Sequence, residues 1–114
     1  MMNLKEYQHK VDAWIKTHGV RYFEEKTNTL LLVEEVGEFA RLIARKYGEQ
    51  SFKTTESESD INLQLEDELA DILFVTVCLA NQMEMDLEKI IHRNFAKKTK
   101  RDAERHINNK KLNP

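Results

Sequence analysis

Only three glycines and one proline punctuate this 114-residue chain, and the proline is its last residue. Small strand-rich domains need Gly and Pro to turn their corners, so the chain is expected to be all-α with long helices. Its length suits one domain, expected over residues 1–107, with 108–114 a frayed tail. The longest uncharged stretch, Ile72 to Met83, is twelve residues, well short of the ~20 that span a bilayer. Met1-Met2-Asn3-Leu4-Lys5 lacks the apolar core of a signal peptide. Cys78 is the single cysteine, so no intramolecular disulfide forms, and a cytoplasmic location is expected.

Apolar spacing divides the chain into four helices. The first runs from Leu4 to His18 and ends at Gly19. The second runs from Thr27 or Asn28 to Tyr47, with Gly48 expected in a left-handed C-terminal cap. Polar residues 48–60 read as a loop, with Ser59 or Asp60 capping the third helix, Ile61 to Met83. That helix is apolar over most of its circumference beyond Leu69, which predicts burial on several sides. Asp86 caps the fourth, Leu87 to Arg105. The expected architecture is an antiparallel four-helix arrangement. A chain this short buries only about 65% of its unfolded surface, so oligomerisation is expected to complete it.

Charge is unevenly placed. Residues 87–114 carry nine Lys and Arg against three Asp and Glu, whereas residues 1–86 carry nine against seventeen. The acidic body opposes a polymeric nucleic acid and better suits a small phosphate ligand with bridging cations. The acids also fall in unexpected places. Glu35 and Glu38 share a helical stripe with Leu31 and Leu42, and Glu68 and Asp71 share one with Leu65, Ile72, Val75 and Cys78. Two helices thus each offer an i, i+3 carboxylate pair to what should be core. Such groups must be protonated, paired with Arg41 or Arg45, or neutralised by a bound cation. Four acids exceed what those arginines can salvage. An all-oxygen ligand set points to Mg²⁺, with Mn²⁺ as a substitute. Solvated acids are the bland alternative, and helix-dipole preference covers Glu66 to Glu68 but not mid-helix Glu34 to Glu38. Gly37, within the same helix, suggests close approach of backbone or ligand.

The two blocks, Glu34-Glu35-Val36-Gly37-Glu38 and Glu68-Leu69-Ala70-Asp71, together resemble the MazG-like branch of the all-α nucleoside triphosphate pyrophosphohydrolases, relatives of the dimeric dUTPases. The resemblance extends from Trp14 to Arg105. It implies Glu35, Glu38, Glu68 and Asp71 as Mg²⁺ ligands. It further implies hydrolysis of an NTP or dNTP to the monophosphate plus pyrophosphate, with Glu34 or Glu38 as general base. The activity expected of such a protein is clearing unwanted nucleotides as a dimer or dimer-of-dimers tetramer.

Arg93, Lys97 and Arg101 form a basic stripe on the fourth helix. The family often has a Lys followed four residues later by Arg here, which implies a role for the stripe in holding the β- and γ-phosphates. Trp14, Tyr22, Phe23 and Phe52 are candidates for stacking on the base, and the long 48–60 segment is a candidate lid. A di-iron carboxylate bundle needs two Glu-x-x-His pairs, and this chain has one, Glu6 to His9. The stronger rival is a non-catalytic helical interaction module that retains a structural divalent-metal site.

Overall fold

The computed structural model describes residues 1–51 and 57–113, so Phe52 and the middle of the expected lid lie outside the described residues. Four α-helices, and no strand among the described residues, make up the structure. They are α1 (Leu4–Trp14), α2 (Glu25–Tyr47), α3 (Glu58–Gln82) and α4 (Leu87–Asp102). α1 runs on into a π-helical turn, Ile15–Gly19.

Side chains capable of accepting at a helix start set three of the four boundaries. Asn3 accepts from the Glu6 N–H, and Asp86 accepts from the Glu88 and Lys89 N–H groups, as its sequence position predicts. α3 starts earlier than expected: Ser57 Oγ, not Ser59 or Asp60, accepts from the Asp60 N–H. α2 likewise begins at Glu25, two residues before Thr27, with no side-chain cap.

Gly48 corrects a second expectation. Its φ is −101°, not left-handed, and glycine is needed there because a Cβ would stand 2.3 Å from the Ala44 carbonyl oxygen. The left-handed residues are Val20 and Glu84. At Val20 (φ 71°, ψ −57°) the Arg21 N–H returns to the Gly19 carbonyl at 2.8 Å, a tight γ-turn that reverses the chain after the π turn.

Hydrogen bonds fix the helix directions. Asn28 near the start of α2 meets Gln82 at the end of α3, while Lys46 near the end of α2 meets Asn62 near the start of α3. Gln8 meets Asn81 and Trp14 meets Phe74, so α1 also runs antiparallel to α3. The core is small: Val11, Ile15, Val77 and Cys78, with Tyr7, Tyr22, Phe74 and Leu87 packed around it. α4 leans on α1 and has no buried residue. The radius of gyration is 18.2 Å, against about 13 Å for a globular chain of this length.

α3 is not buried all round within one chain. Leu69 and Leu73 are 53% and 46% exposed, and on α2 Leu30 and Val33 are 68% and 63% exposed. Among the described residues, no other helix covers these side chains. Beyond α4, residues 103–113 form hydrogen-bonded turns, in which Asn113 Nδ2 donates to the carbonyls of His106, Ile107 and Asn109.

Candidate metal centre and adjoining cleft

The antiparallel pairing of α2 with α3 lays the two acidic blocks against each other. One carboxylate oxygen from each of Glu35, Glu68 and Asp71 falls within 4.8 Å of the others. Glu38, one turn beyond Glu35, also faces Glu68. Glu34 is exposed and stands outside this cluster.

Glu35 Oε2 and Glu68 Oε2 are buried without a hydrogen-bond partner. The ion pairs among the described residues are Lys16–Asp12, Arg101–Asp102 and Arg105–Asp102. Neither Arg41 nor Arg45 relieves the acids. The Glu68 carboxyl is pushed up to about 8, first by the facing Glu35, then by desolvation and by Glu38. Two routes therefore remain for the clustered charge, a retained proton or a bound cation. Carboxylate oxygens alone, converging with unpartnered lone pairs, fit a hard divalent ion. The close approach expected at Gly37 does not occur within the chain, since a Cβ there would meet nothing within 4 Å.

Beside the acids lies a largely apolar cleft of about 260 Å³. Trp14, Tyr22 and Phe23, three of the four aromatics singled out from sequence, line it, with Asn28, Leu31, Phe74 and Val75 among its other walls. Leu31 precedes Glu35 by four residues and Val75 follows Asp71 by four, so the cleft adjoins the acids at about 6 Å along each helix axis. Trp14 is half exposed and meets Phe74 edge-on at 5.6 Å. The Tyr22 hydroxyl donates to Asp12 Oδ1 at 2.6 Å and accepts from Asn81 Nδ2 at 3.1 Å. Burial first, then the Asp12 hydrogen bond, pushes this phenol up to about 12. It is a fixed wall rather than an acid–base group.

The basic stripe is placed differently. Arg93 borders an open hollow with Glu84, Asp86 and Lys89 beside the turn after α3. Arg101 is held by Asp102, its Nη2 lying 2.8 Å from Oδ2. Lys97 is exposed and belongs to no ion pair among the described residues. α4 packs on α1, and among the described residues no member of this stripe forms an ion pair with Glu35, Glu38, Glu68 or Asp71.

Comparison with known proteins settles the lineage. The family model for the MazG nucleotide pyrophosphohydrolase domain matches residues 23–106. The chain belongs to this family. Protein YpjD of Bacillus subtilis (strain 168) is 37% identical over 102 residues, covering 90% of this chain and 88% of that protein. The crystal structure of B. subtilis YpjD superimposes with a TM-score of 0.73 at 36% identity, covering 85% of this chain and 95% of that one. A Bacillus-conserved MazG protein, described as a nucleotide pyrophosphohydrolase, gives a TM-score of 0.70 at 33% identity, with 85% and 90% covered. The all-helical MazG architecture and the pyrophosphohydrolase family expected from the sequence are thus both found.

The sequence reading passed over a set of buried or half-buried amides. Gln8 and Asn28 are 8% and 5% exposed, and each bonds to the end of α3, through Asn81 and Gln82 respectively. The signal was available. Gln8 interrupts the stripe of Leu4, Val11 and Ile15, and Asn28 precedes Leu31, Leu32 and Glu35 on one face, so both polar groups sit where apolar ones are expected.

Proposed function

We propose that this MazG-family chain is a Mg²⁺-dependent nucleoside triphosphate pyrophosphohydrolase that releases a monophosphate and pyrophosphate. The reading rests on one observation above all: three carboxylates converge within 4.8 Å, two of their oxygens are buried without a partner, and among the described residues no cationic side chain forms an ion pair with them. Glu35, Glu38, Glu68 and Asp71 would hold the metal. When bound, it neutralises triphosphate charge and polarises the α-phosphoryl oxygen. The apolar cleft receives the base between Trp14, Tyr22 and Phe23. Lys97 is the member of the basic stripe left free for a phosphate, with Arg93 and Arg101 beside it on the helix. A carboxylate of Glu34 or Glu38 takes the proton of the attacking water. House-cleaning of the nucleotide pool in the cytoplasm follows as the biological reading.

A panel of NTPs and dNTPs, assayed with Mg²⁺, Mn²⁺ or EDTA, tests this reading. Monophosphate and pyrophosphate should appear together, vanish with EDTA, and fall at least a hundredfold in Asp71→Asn. Glu34→Gln and Glu38→Gln separate the two candidate bases: loss of kcat with unchanged Mg²⁺ dependence marks the base, whereas a raised Mg²⁺ requirement marks a ligand. Orthophosphate as product would place attack at the γ-phosphorus and sink the proposal. Metal binding without turnover of any nucleotide would favour a binding module.

The second element of the reading is a homo-oligomer, a dimer or a dimer of dimers. Leu30 and Val33 on α2, with Leu69 and Leu73 on α3, leave both central helices with uncovered apolar surface. The extended shape supports the same reading. Light scattering should give a mass at least twice 13.5 kDa, and Leu30→Glu with Val33→Glu should shift it to the monomer. A wild-type monomer at micromolar concentration would count against it.

A further inference from the structure

The aromatic walls of the cleft do not by themselves distinguish one base from another, but its amides do. Gln82 Nε2 donates to the Phe23 carbonyl at 2.8 Å. A carbonyl can only accept, so this bond fixes the orientation of the Gln82 amide and turns Gln82 Oε1 toward Asn28. Asn28 Nδ2 donates to that oxygen at 2.6 Å and to the Phe23 carbonyl at 3.4 Å. Both N–H bonds of Asn28 are therefore committed. Asn28 Oδ1 receives no hydrogen bond among the described residues, and it is not one of the sealed, unpartnered atoms. The residue is 95% buried, being 5% exposed, and it lines the cleft.

The other polar groups of the cleft wall are spent or peripheral. The Tyr22 hydroxyl is engaged by Asp12 and Asn81. Arg21 is exposed and gives Nη1 to the Tyr22 carbonyl at 2.8 Å. The Cys78 thiol, pushed up to about 11 by burial, is an un-ionised weak donor.

We infer that Asn28 Oδ1 is the polar reader of the cleft, and that it selects nucleotides whose base carries an exocyclic amino group over those with a keto oxygen in that place. An amino group gives the oxygen the proton it lacks. A keto oxygen in the same place would set acceptor against acceptor, with both Asn28 donors already used, leaving two buried groups unpaired. Gln82 is a positioning residue in this scheme, since its amide decides which end of Asn28 faces the ligand. The inference deepens the pyrophosphohydrolase reading by naming the substrate class of the same site.

Trp14, the single tryptophan of the chain, lines the cleft, so its fluorescence reports occupancy without any need for turnover. Quenching by CMP against UMP, and by AMP against IMP, should favour the amino member by about tenfold or more. The KM values of CTP against UTP, and of ATP against ITP, should differ in the same direction. In Asn28→Leu, checked for helicity by circular dichroism, each ratio should fall to within about twofold. If that variant does not fold, Gln82→Leu serves instead: it releases the Asn28 amide to rotate, and the preference should shrink or reverse. Equal quenching by amino and keto partners in the wild type overturns the role of Asn28 while leaving the reaction untouched. Hydrolysis without quenching by any of the four monophosphates overturns it too, by removing the base from this cleft. Selective quenching without hydrolysis supports the cleft assignment and instead defeats the proposed reaction.

Discussion

Replacing Glu68 by Gln should abolish nucleotide hydrolysis while making the metal-free protein more stable at alkaline pH. The amide has nearly the shape of the carboxylic acid, carries no charge, and can donate to Glu35 and Glu38, the groups that now oppose it. The metal-free chain should therefore relax rather than unfold. The direction with pH follows from the raised pKa. Glu68 titrates near 4.5 when unfolded and near 8 in the folded, metal-free chain. As pH rises the unfolded state gives up this proton first, so stability is full below the lower value and declines until the higher one has been passed. Metal-free wild type should melt lower at pH 8.5 than at pH 5, by about 5 °C or more, and Glu68→Gln should remove most of that difference. Added Mg²⁺ at about a hundred times its Kd should raise the wild-type Tm by roughly 10 °C at pH 8, and should hardly move the variant. Turnover in Glu68→Gln should fall about a thousandfold. A variant that loses activity and stability together, with no change in pH response, would mean that Glu68 serves the fold rather than a cation.

Gln8→Ala should be the most damaging single change in the scaffold. Gln8 Nε2 donates to Asn81 Oδ1 at 3.0 Å and to the Met85 carbonyl at 2.9 Å, and Gln8 Oε1 accepts from the Leu87 N–H at 3.0 Å. One side chain thus ties α1 to the end of α3, to the turn and to the start of α4. Truncation leaves three partners without their bonds, at a cost of about 3 kcal/mol, or roughly 12 °C in Tm. Gln8→Met, which keeps the volume and removes the hydrogen bonds, should cost nearly as much. If Gln8→Met melts within a few degrees of wild type, packing rather than hydrogen bonding carries the junction.

The legible parts of this molecule were those governed by helical period. Spacing put Glu35 with Glu38, and Glu68 with Asp71, on apolar stripes of two helices, and the antiparallel pairing of those helices brings Glu35, Glu68 and Asp71 within 4.8 Å of one another. Three of the aromatics picked out for stacking, Trp14, Tyr22 and Phe23, do line one cleft, where Trp14 stays half exposed. What the period could not reveal was the direction of individual hydrogen bonds. Asn28 and Gln8 break the apolar stripes of their helices, which marks them as unusual, but their bonding depends on partners 54 and 73 residues away. The π turn and the positive φ of Val20 were illegible for a similar reason. A β-branched residue does not favour that conformation, and Val20 is 84% exposed, so it is the hydrogen-bonded turn from Gly19 to Arg21 and not packing of the side chain that accompanies it. Gly48 shows the reverse, a glycine correctly placed at a helix end for a different steric reason than the left-handed one expected.

The same long separations bear on how the protein is made. α1 leaves the ribosome before the other helices, yet the groups that anchor Gln8 lie 73 to 79 residues further along. At about 5–20 residues per second, α1 waits roughly 4–15 s for its partners. Meanwhile Tyr7, Val11 and Ile15 have no Val77 or Cys78 to cover them. α2 can begin to pair with α3 as soon as α3 emerges, so the carboxylate hairpin can form before the helix that walls one side of the cleft has docked. Slowing translation between residues 30 and 80 should therefore lower soluble yield, because the delay lengthens the interval in which α1 is apolar, exposed and alone.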